Sequence, residues 1–393
     1  MKVHVKQVID GLLGSLLVFF NLLLARPLGL LLRRDHTLRQ EPDTIIVIKM
    51  LGLGSLLLAS DALVSLKKRY PNTKLILICG KGVAQGIKPI HLFDKIWSTD
   101  DKSILILAKT SLQILAKTWK LKNKWVVDFE VYSKLTTIYS LWTFALNRFG
   151  FQLQKVHFRN FLNTHNSYFN QFNLVQENYN NLVKLMGVEK IEHFTIPIPN
   201  GKGRKFEADK KYIAINNTCS DLSYMRKMPL DILQAVCQLI IEKTPYHIAF
   251  TGAPSDQKEN EDFLNNYLAE HKDRVRNIAG EFSIAEYYAF LHNEAVMMLT
   301  VDSAPLYIAL KTGLPTVSVW GPTDPAHRFT PDTWDSPRQK VHYLAVHCSP
   351  CLHHTKVLPC GGDNFCMKNM QAINIFTKIE GVISHLEHER ATA

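Results

Sequence analysis

The chain has 393 residues, 46% of them apolar and 21% charged, with 19 Gly and 17 Pro spread along its length, which excludes disordered, collagen-like and disulfide-scaffold classes. Single hydrophobic cores stop growing near ~250–300 residues, so the length favours two domains. A formal charge of +11 suits an anionic partner such as a nucleotide, a nucleic acid or an acidic lipid surface, without choosing among them.

The first forty residues differ from the rest: Gly11 to Ala25 carries no charge, and Pro27 to Leu32 resumes the apolar run after Arg26. A spanning helix needs roughly 20 apolar residues. Arg26 and Pro27 interrupt this one, which predicts an interfacial or re-entrant helix pair rather than a clean span. Arg26, Arg33, Arg34 and Arg39 are placed to snorkel to anionic headgroups. A secretory signal with Lys2 and Lys6 as its n-region competes, but the run ends in Leu-Ala-Arg-Pro without a small-x-small cleavage site. A hydrophobic helix packed on its own domain is the plainer alternative. The expectation is a retained anchor over residues 1–40, facing the cytoplasm.

From Thr44 onward, short β-rich runs alternate with amphipathic stretches, the pattern of a parallel sheet covered by helices. Ile45 to Lys49 predicts a strand, Gly52 and Gly54 a turn, and Leu56 to Tyr70 a helix with three cations at its C-terminal end. Strands follow at Lys74 to Cys79, Lys95 to Ser98 and Trp125 to Phe129. This N-terminal half occupies 41–194, and a Pro- and Gly-rich linker 195–204 follows it. The second half, 205–393, opens with a strand at Tyr212 to Asn216 and a helix over Leu230 to Glu242. It continues with a strand at His247 to Thr251, a helix over Ile284 to His292, a strand at Ala295 to Thr300, a helix over Pro305 to Thr312 and a strand at Thr316 to Trp320. Two Rossmann-like halves facing a central cleft are the architecture expected.

Such sheets bind ligands beyond the carboxyl ends of their strands. A dinucleotide fingerprint is absent: Gly52-x-Gly54 continues to Leu57, and Cys79 and Gly80 stand where an acidic residue would close the second strand. The stretch Thr300 to Pro325, TVDSAPLYIALKTGLPTVSVWGPTDP, is far more specific. Asp302 and Ser303 end a strand just before a helix starting at Pro305, whose free N–H groups suit a diphosphate.

This passage resembles the signature of glycosyltransferase family 9, the heptosyltransferase family, D-S/T-G-P-M/L-H-x-A-x-A-x-G-x-P-T-V-x-L-F/W-G-x-T-x-P. Other segments resemble that family in the same order: IVIKMLGLGSLLLASDALVSLKKRYP its opening strand, turn and helix, Arg226 to Pro229 its K/R-x-W-P motif, and Thr251 to Asp256 its second glycine turn. The resemblance covers about residues 44–375. It implies an α/β GT-B fold, the acceptor bound by the N-terminal half and the sugar nucleotide by the other, and transfer with inversion that requires no metal.

The departures bear on chemistry. The family's inverting members use an aspartate in an L-G-D turn as base, and this chain has Ser55 there. Inversion needs a carboxylate or histidine beside the attacking hydroxyl. Glu130, at the carboxyl end of the Trp125 to Phe129 strand, is the first replacement, its plainer reading being an ion pair with Lys134 or Arg148. Asp128 alternates with it and is expected to face the other way. Asp61 is the second replacement, its plainer reading a contact with Lys or solvent. On the donor side the resemblance implies that Asp302 holds sugar or ribose hydroxyls, that Ser303, Ala304, Pro305, Leu306 and Tyr307 form the helix-terminus phosphate site, and that Arg226 neutralises the departing diphosphate. Asn216, Asn217 and Thr218 resemble the family's small polar phosphate loop. Asp302 also reads as a helix N-cap, and Arg226 as a surface cation. Ala304 stands for the usual Gly and Tyr307 for the usual His.

Cys79, Cys219 and Cys237 sit singly in apolar or mixed segments, as small buried thiols in a reducing compartment. Cys348, Cys351, Cys360 and Cys366 form C-x2-C-x8-C-x5-C beside His347, His353 and His354, compatible with a structural zinc, with disulfides or with unpaired thiols. Three function classes compete. The leading one is a glycosyltransferase moving heptose or a related sugar from a nucleotide donor, ADP-heptose or another, to a lipopolysaccharide or lipid-linked acceptor. It would work at the cytoplasmic face of a bacterial inner membrane as a peripheral or monotopic protein. The second is a catalytically impaired relative that binds a nucleotide sugar or glycan. A basic nucleic-acid binder is the third, and no recognition motif supports it.

Overall fold

The computed structural model describes residues 3–197, 210–219, 224–352, 354–355 and 357–392, so most of the segment expected as a linker lies outside the described residues. The chain forms two compact units, Met1–Phe194 and Thr195–Ala393.

Unit 1 opens with helix α1 (Val3–Leu32), a single helix that passes through Pro27 where a pair was expected. Its strands are β1 (Thr44–Ile48), β2 (Lys74–Gly80), β3 (Lys95–Thr99), β4 (Lys124–Asp128), β5 (Asn147–Gln152) and β6 (His165–Tyr168). The helices between and after them are α2 (Leu53–Leu58), α3 (Ser60–Arg69), α4 (Lys81–Ile87), α5 (Ile104–Trp119), α6 (Lys134–Trp142), α7 (Arg159–Leu162) and α8 (Val175–Lys184). The sheet runs β3-β2-β1-β4-β5-β6, and every pairing is parallel. β1 and β4 are buried at every residue, so TIIVI and KWVVD read as runs rather than alternations, as central strands covered on both faces do. The helix expected over Leu56 to Tyr70 is two helices meeting at Ala59, where the Ser60 hydroxyl donates to the Leu57 carbonyl at 2.7 Å and competes with the helical ladder.

Unit 2 repeats the plan with β7 (Tyr212–Asn216), β8 (His247–Phe250), β9 (Val275–Asn277), β10 (Ala295–Val301), β11 (Thr316–Trp320), β12 (Asp335–Ser336) and β13 (Gln339–Tyr343). Its helices are α9 (Leu230–Lys243), α10 (Gln257–Tyr267), α11 (Ile284–Asn293), α12 (Ala304–Thr312), α13 (Pro331–Trp334), α14 (Phe365–Lys368) and α15 (Ala372–Thr392). The sheet order is β12-β13-β11-β10-β7-β8-β9, and only the β12–β13 pair is antiparallel. α15 lies over β11, β13 and α9, and buries Ile375, Phe376, Ile379, Val382, Ile383 and Leu386 at helical spacing.

In each unit the first strand is central: the chain winds outward through two strands, returns past the first, and winds out the other way. The strand order reverses between β1 and β4, and again between β7 and β10. Open α/β sheets bind their ligands beyond the carboxyl ends of the strands at such a reversal.

Candidate functional site

At the unit 1 reversal, Lys49 follows β1 and Glu130 lies just past β4. The Lys49 ammonium donates to Glu130 Oε2 at 3.0 Å, and the Leu51 N–H donates to Oε1 at 2.9 Å. Burial, the largest single influence, depresses the Lys49 pKa, but Glu130, Tyr179 and Asp128 together outweigh it and hold the ammonium above its ordinary value. Glu130 therefore pairs with Lys49, not with Lys134 or Arg148, whose bonds go to Ser15 and to the Leu162 and Ala145 carbonyls. Beneath it Asp128 is buried: Oδ1 accepts from the Glu130 N–H at 2.9 Å, and Oδ2 accepts from Thr136 at 2.8 Å and from Arg159 at 3.3 Å. Burial pushes Asp128 up to about 6 although Arg159 opposes it. Arg159 also donates to the Glu130 carbonyl at 2.7 Å and the Ser133 carbonyl at 2.8 Å, so the loop carrying Glu130 is braced from below.

The glycine turn sits against this pair. Gly52 caps α2 at φ +83, a conformation that favours glycine, and a Cβ there would lie 3.2 Å from the half-buried Ser55 hydroxyl. Gly54 is buried inside α2. Asp61, expected against Lys or solvent, is buried: Oδ1 accepts from the Phe194 N–H at 2.9 Å, and Oδ2 bonds Gln176 and lies 3.4 Å from His193 Nδ1. It ties α3 to α8 and to the end of unit 1.

At the unit 2 reversal, Asp302 follows β10. Its Oδ1 accepts from the Tyr307 hydroxyl at 3.0 Å, and that hydroxyl accepts from Arg328 Nε at 3.0 Å. Burial and the neighbouring carboxylate push the Tyr307 phenol well up, so it stays a donor to Asp302. Arg226 donates to the Asp302 carbonyl at 2.5 Å and lies 3.8 Å from its carboxylate, which makes it a partner of the site rather than a solvated cation. Ser303 is the N-cap residue of α12, yet its side chain makes no cap bond. Its hydroxyl is buried without a partner among the described residues, as is that of Thr323 past β11, with residue exposures of 8% and 6%. A buried hydroxyl lacking a partner costs about 1–3 kcal/mol, so two of them beside an uncapped helix start mark a place for a polar ligand.

Asn216, Asn217 and Thr218, expected as a phosphate loop, turn their side chains onto neighbouring protein groups. Asn216 Nδ2 donates to the Thr251 carbonyl at 3.0 Å, and its Oδ1 accepts from the Thr218 hydroxyl at 3.1 Å. The Asn217 amide bonds both the N–H and the carbonyl of Met228, at 2.7 and 3.0 Å. These side chains brace the loop that presents Arg226. Lys49, Thr323 and Arg328 are the site residues that sequence reasoning did not single out. Lys49 ends the strand motif IVIK, and Arg328 stands three residues past the last proline of the signature.

All seven cysteines are free thiols, so the clustered four form no disulfide. Burial, with the neighbouring thiols of Cys351 and Cys348 adding, pushes Cys366 up to about 11. Burial also raises Cys360, but backbone N–H groups of Asn364, Gly362 and Phe365 together outweigh it and bring that thiol below its ordinary pKa. Among the described residues, which omit His353, no three His, Cys, Asp or Glu side chains converge to hold a metal ion, so the structural zinc invited by the cysteine spacing has no support here.

A sequence profile described as glycosyltransferase family 9 (heptosyltransferase) matches residues 164–361, half of the chain. The chain is 25% identical over 182 residues to lipooligosaccharide heptosyltransferase 2 of Campylobacter jejuni, a match covering 44% of this chain and 51% of that protein. It thus spans about half the length of the curated relative it matches. Among solved structures it is similar to Escherichia coli ADP-heptose lipopolysaccharide heptosyltransferase II, at 15% identity, TM-score 0.67, 88% of this chain and 99% of the other. It is also similar to the iron-containing heptosyltransferase TibC of enterotoxigenic E. coli, at 11% identity, TM-score 0.56, 88% of this chain and 77% of the other. Both likenesses show the fold, GT-B. The iron is TibC's; among the described residues of this chain no three His, Cys, Asp or Glu side chains converge to hold one. The signature around Asp302, the doubly wound order of both sheets and the matched profile agree that the chain belongs to glycosyltransferase family 9, the heptosyltransferase family.

Proposed function

We propose that the protein is an inverting glycosyltransferase that moves heptose or a related sugar from a nucleotide diphosphate donor to a lipopolysaccharide or lipid-linked glycan acceptor at the cytoplasmic face of a bacterial inner membrane. The observation that carries this reading is the donor side of unit 2: Asp302 held by Tyr307 and Arg226, beside the uncapped start of α12 and the unpartnered hydroxyls of Ser303 and Thr323. Asp302 holds sugar or ribose hydroxyls, and the helix start takes the diphosphate. Arg226 supplies the charge that the leaving group develops, without a metal. The acceptor hydroxyl attacks the anomeric carbon, the bond from that carbon to the diphosphate oxygen breaks, and the acceptor proton passes to Glu130 of unit 1. Lys49 and the Leu51 N–H orient that carboxylate and leave it further lone pairs for the proton. The relatives, an ADP-heptose lipopolysaccharide heptosyltransferase and a lipooligosaccharide heptosyltransferase, support the donor and acceptor classes.

A second reading rests on the same pair. Lys49 and the Leu51 N–H already engage both oxygens of Glu130, and Ser55 offers no carboxylate in its place, so a binding protein without turnover has a structural basis. Donor binding by calorimetry together with release of nucleoside diphosphate in the presence of acceptor separates the two. Binding with release supports the transferase, and binding without release to any acceptor supports the second reading.

A further inference from the structure

One face of α1 is spent on its own domain. Asp10 accepts from the Ser133 hydroxyl at 2.6 Å and from the Lys134 and Leu135 N–H groups at 3.0 and 2.9 Å, capping the start of α6. Gly14, one turn on, is buried against Lys134, Val18 is buried on the next turn, and Asn21 accepts from Trp142 Nε1 at 3.1 Å. The i, i+4 and i, i+3 spacing of these residues fixes a docked face along the helix. The opposite face, which includes Leu12, Leu16, Phe19 and Leu23, is exposed.

α5 continues that exposed surface. Lys6 pairs with Asp101 just ahead of α5, and Trp119 at its far end donates to the carbonyl of Trp142, the residue bound to Asn21. Leu105 is 82% exposed on the first turn of α5, and the exposed rings of Trp119 and Phe144 lie 6.1 Å apart. Past the end of α1, Arg33, Arg34 and Arg39 are exposed. Burial lowers the pKa of Lys124 and Arg148, and the charge of Arg34 lowers both further. Their own bonds go to backbone carbonyls, not to carboxylates.

We infer that α1, α5 and the Trp119–Phe144 pair form one docking surface that lies in the plane of an anionic bilayer, with α1 clamped to unit 1 through Asp10 rather than crossing the membrane. Lateral attachment along several turns holds the helix against the domain. An apolar strip ending in an excess of cations, Arg33, Arg34 and Arg39 against the carboxylate of Asp35, fits acyl chains beside anionic headgroups. A second copy would bring the same excess of cations, three arginines against Asp35, and so a net repulsion. This inference sharpens the membrane partner of the transferase reading, and its test involves no turnover, so the two fail separately.

The test is flotation of the full-length protein, carrying a protease-cleavable N-terminal tag, with sealed vesicles of phosphatidylcholine alone or with phosphatidylglycerol. Binding is expected to rise with phosphatidylglycerol and fall with salt, and external protease is expected to remove the tag completely. Leu105→Glu with Phe144→Glu, both at exposed positions, should lower partitioning at least about tenfold with an unchanged circular dichroism spectrum. Arg33→Ala with Arg34→Ala should cost about fivefold per arginine, on anionic vesicles only. A protected tag, wild-type binding by the Leu105/Phe144 variant, or dimerisation without vesicle binding would overturn the inference.

Discussion

Tyr307 occupies the position where the family signature carries histidine, and its phenol links Asp302 to Arg328. Removing that hydroxyl leaves a buried carboxylate short of one donor, a loss worth about 1–3 kcal/mol. Tyr307→Phe should therefore weaken donor binding by roughly five- to a hundredfold by calorimetry, while far-ultraviolet dichroism stays unchanged; unaltered affinity would show that Asp302 does not need this bond. The clustered cysteines give a second test. Cys360 carries the thiol held low by backbone N–H groups, and Cys366 the one pushed up to about 11. Iodoacetamide on the native protein at pH 8, read by peptide mass, should label Cys360 at least about ten times faster than Cys366. Asp302 was legible because it sits inside a dense ordered motif. Lys49 and Arg328 were not, because each acts through a partner 81 or 21 residues away, a distance that only folding closes. Asp61 misled for the opposite reason. An acid near a glycine turn looks available until Gln176 and Phe194 fold onto it.

The elements best read from sequence were the central strands, whose unbroken apolar runs have no other use in a parallel sheet. β5 and β6, NRFGFQ and HNSY, lie toward one side of their sheet, carry polar residues at most positions, and gave no such signal. The break at Ala59 was hidden by a periodicity that continues across it, since only the Ser60 hydroxyl reveals the competing bond. β13 supplies a prediction at this scale. Burial, with Lys378 adding, pushes His342 down to about 4, so the ring is neutral in the folded chain at pH values where the unfolded chain binds a proton. Its contribution to stability is complete above the unfolded pKa near 6.5 and is lost as pH falls toward 4. Between pH 7 and 5 the urea midpoint of the wild type should fall more than that of His342→Gln; parallel decreases would refute the assignment.

Across the whole molecule, the two units use one winding order twice, and each sets its ionisable groups at the reversal of that order. In the proposed reading the donor side is carried by the motif around Asp302 in unit 2, whereas the acceptor side rests on Glu130 of unit 1 and its bond to Lys49. The substitution of Ser55 for the family aspartate makes that carboxylate the decisive residue. The most direct measurement compares wild type with Glu130→Gln, using ADP-heptose and bacterial lipooligosaccharide acceptors, and reads donor affinity and diphosphate release in the same preparation. Glutamine keeps an acceptor for the Leu51 N–H but takes no proton. A variant that binds donor within about twofold of wild type while kcat falls at least about a hundredfold is the predicted result. Wild-type turnover by Glu130→Gln would contradict its role as the base.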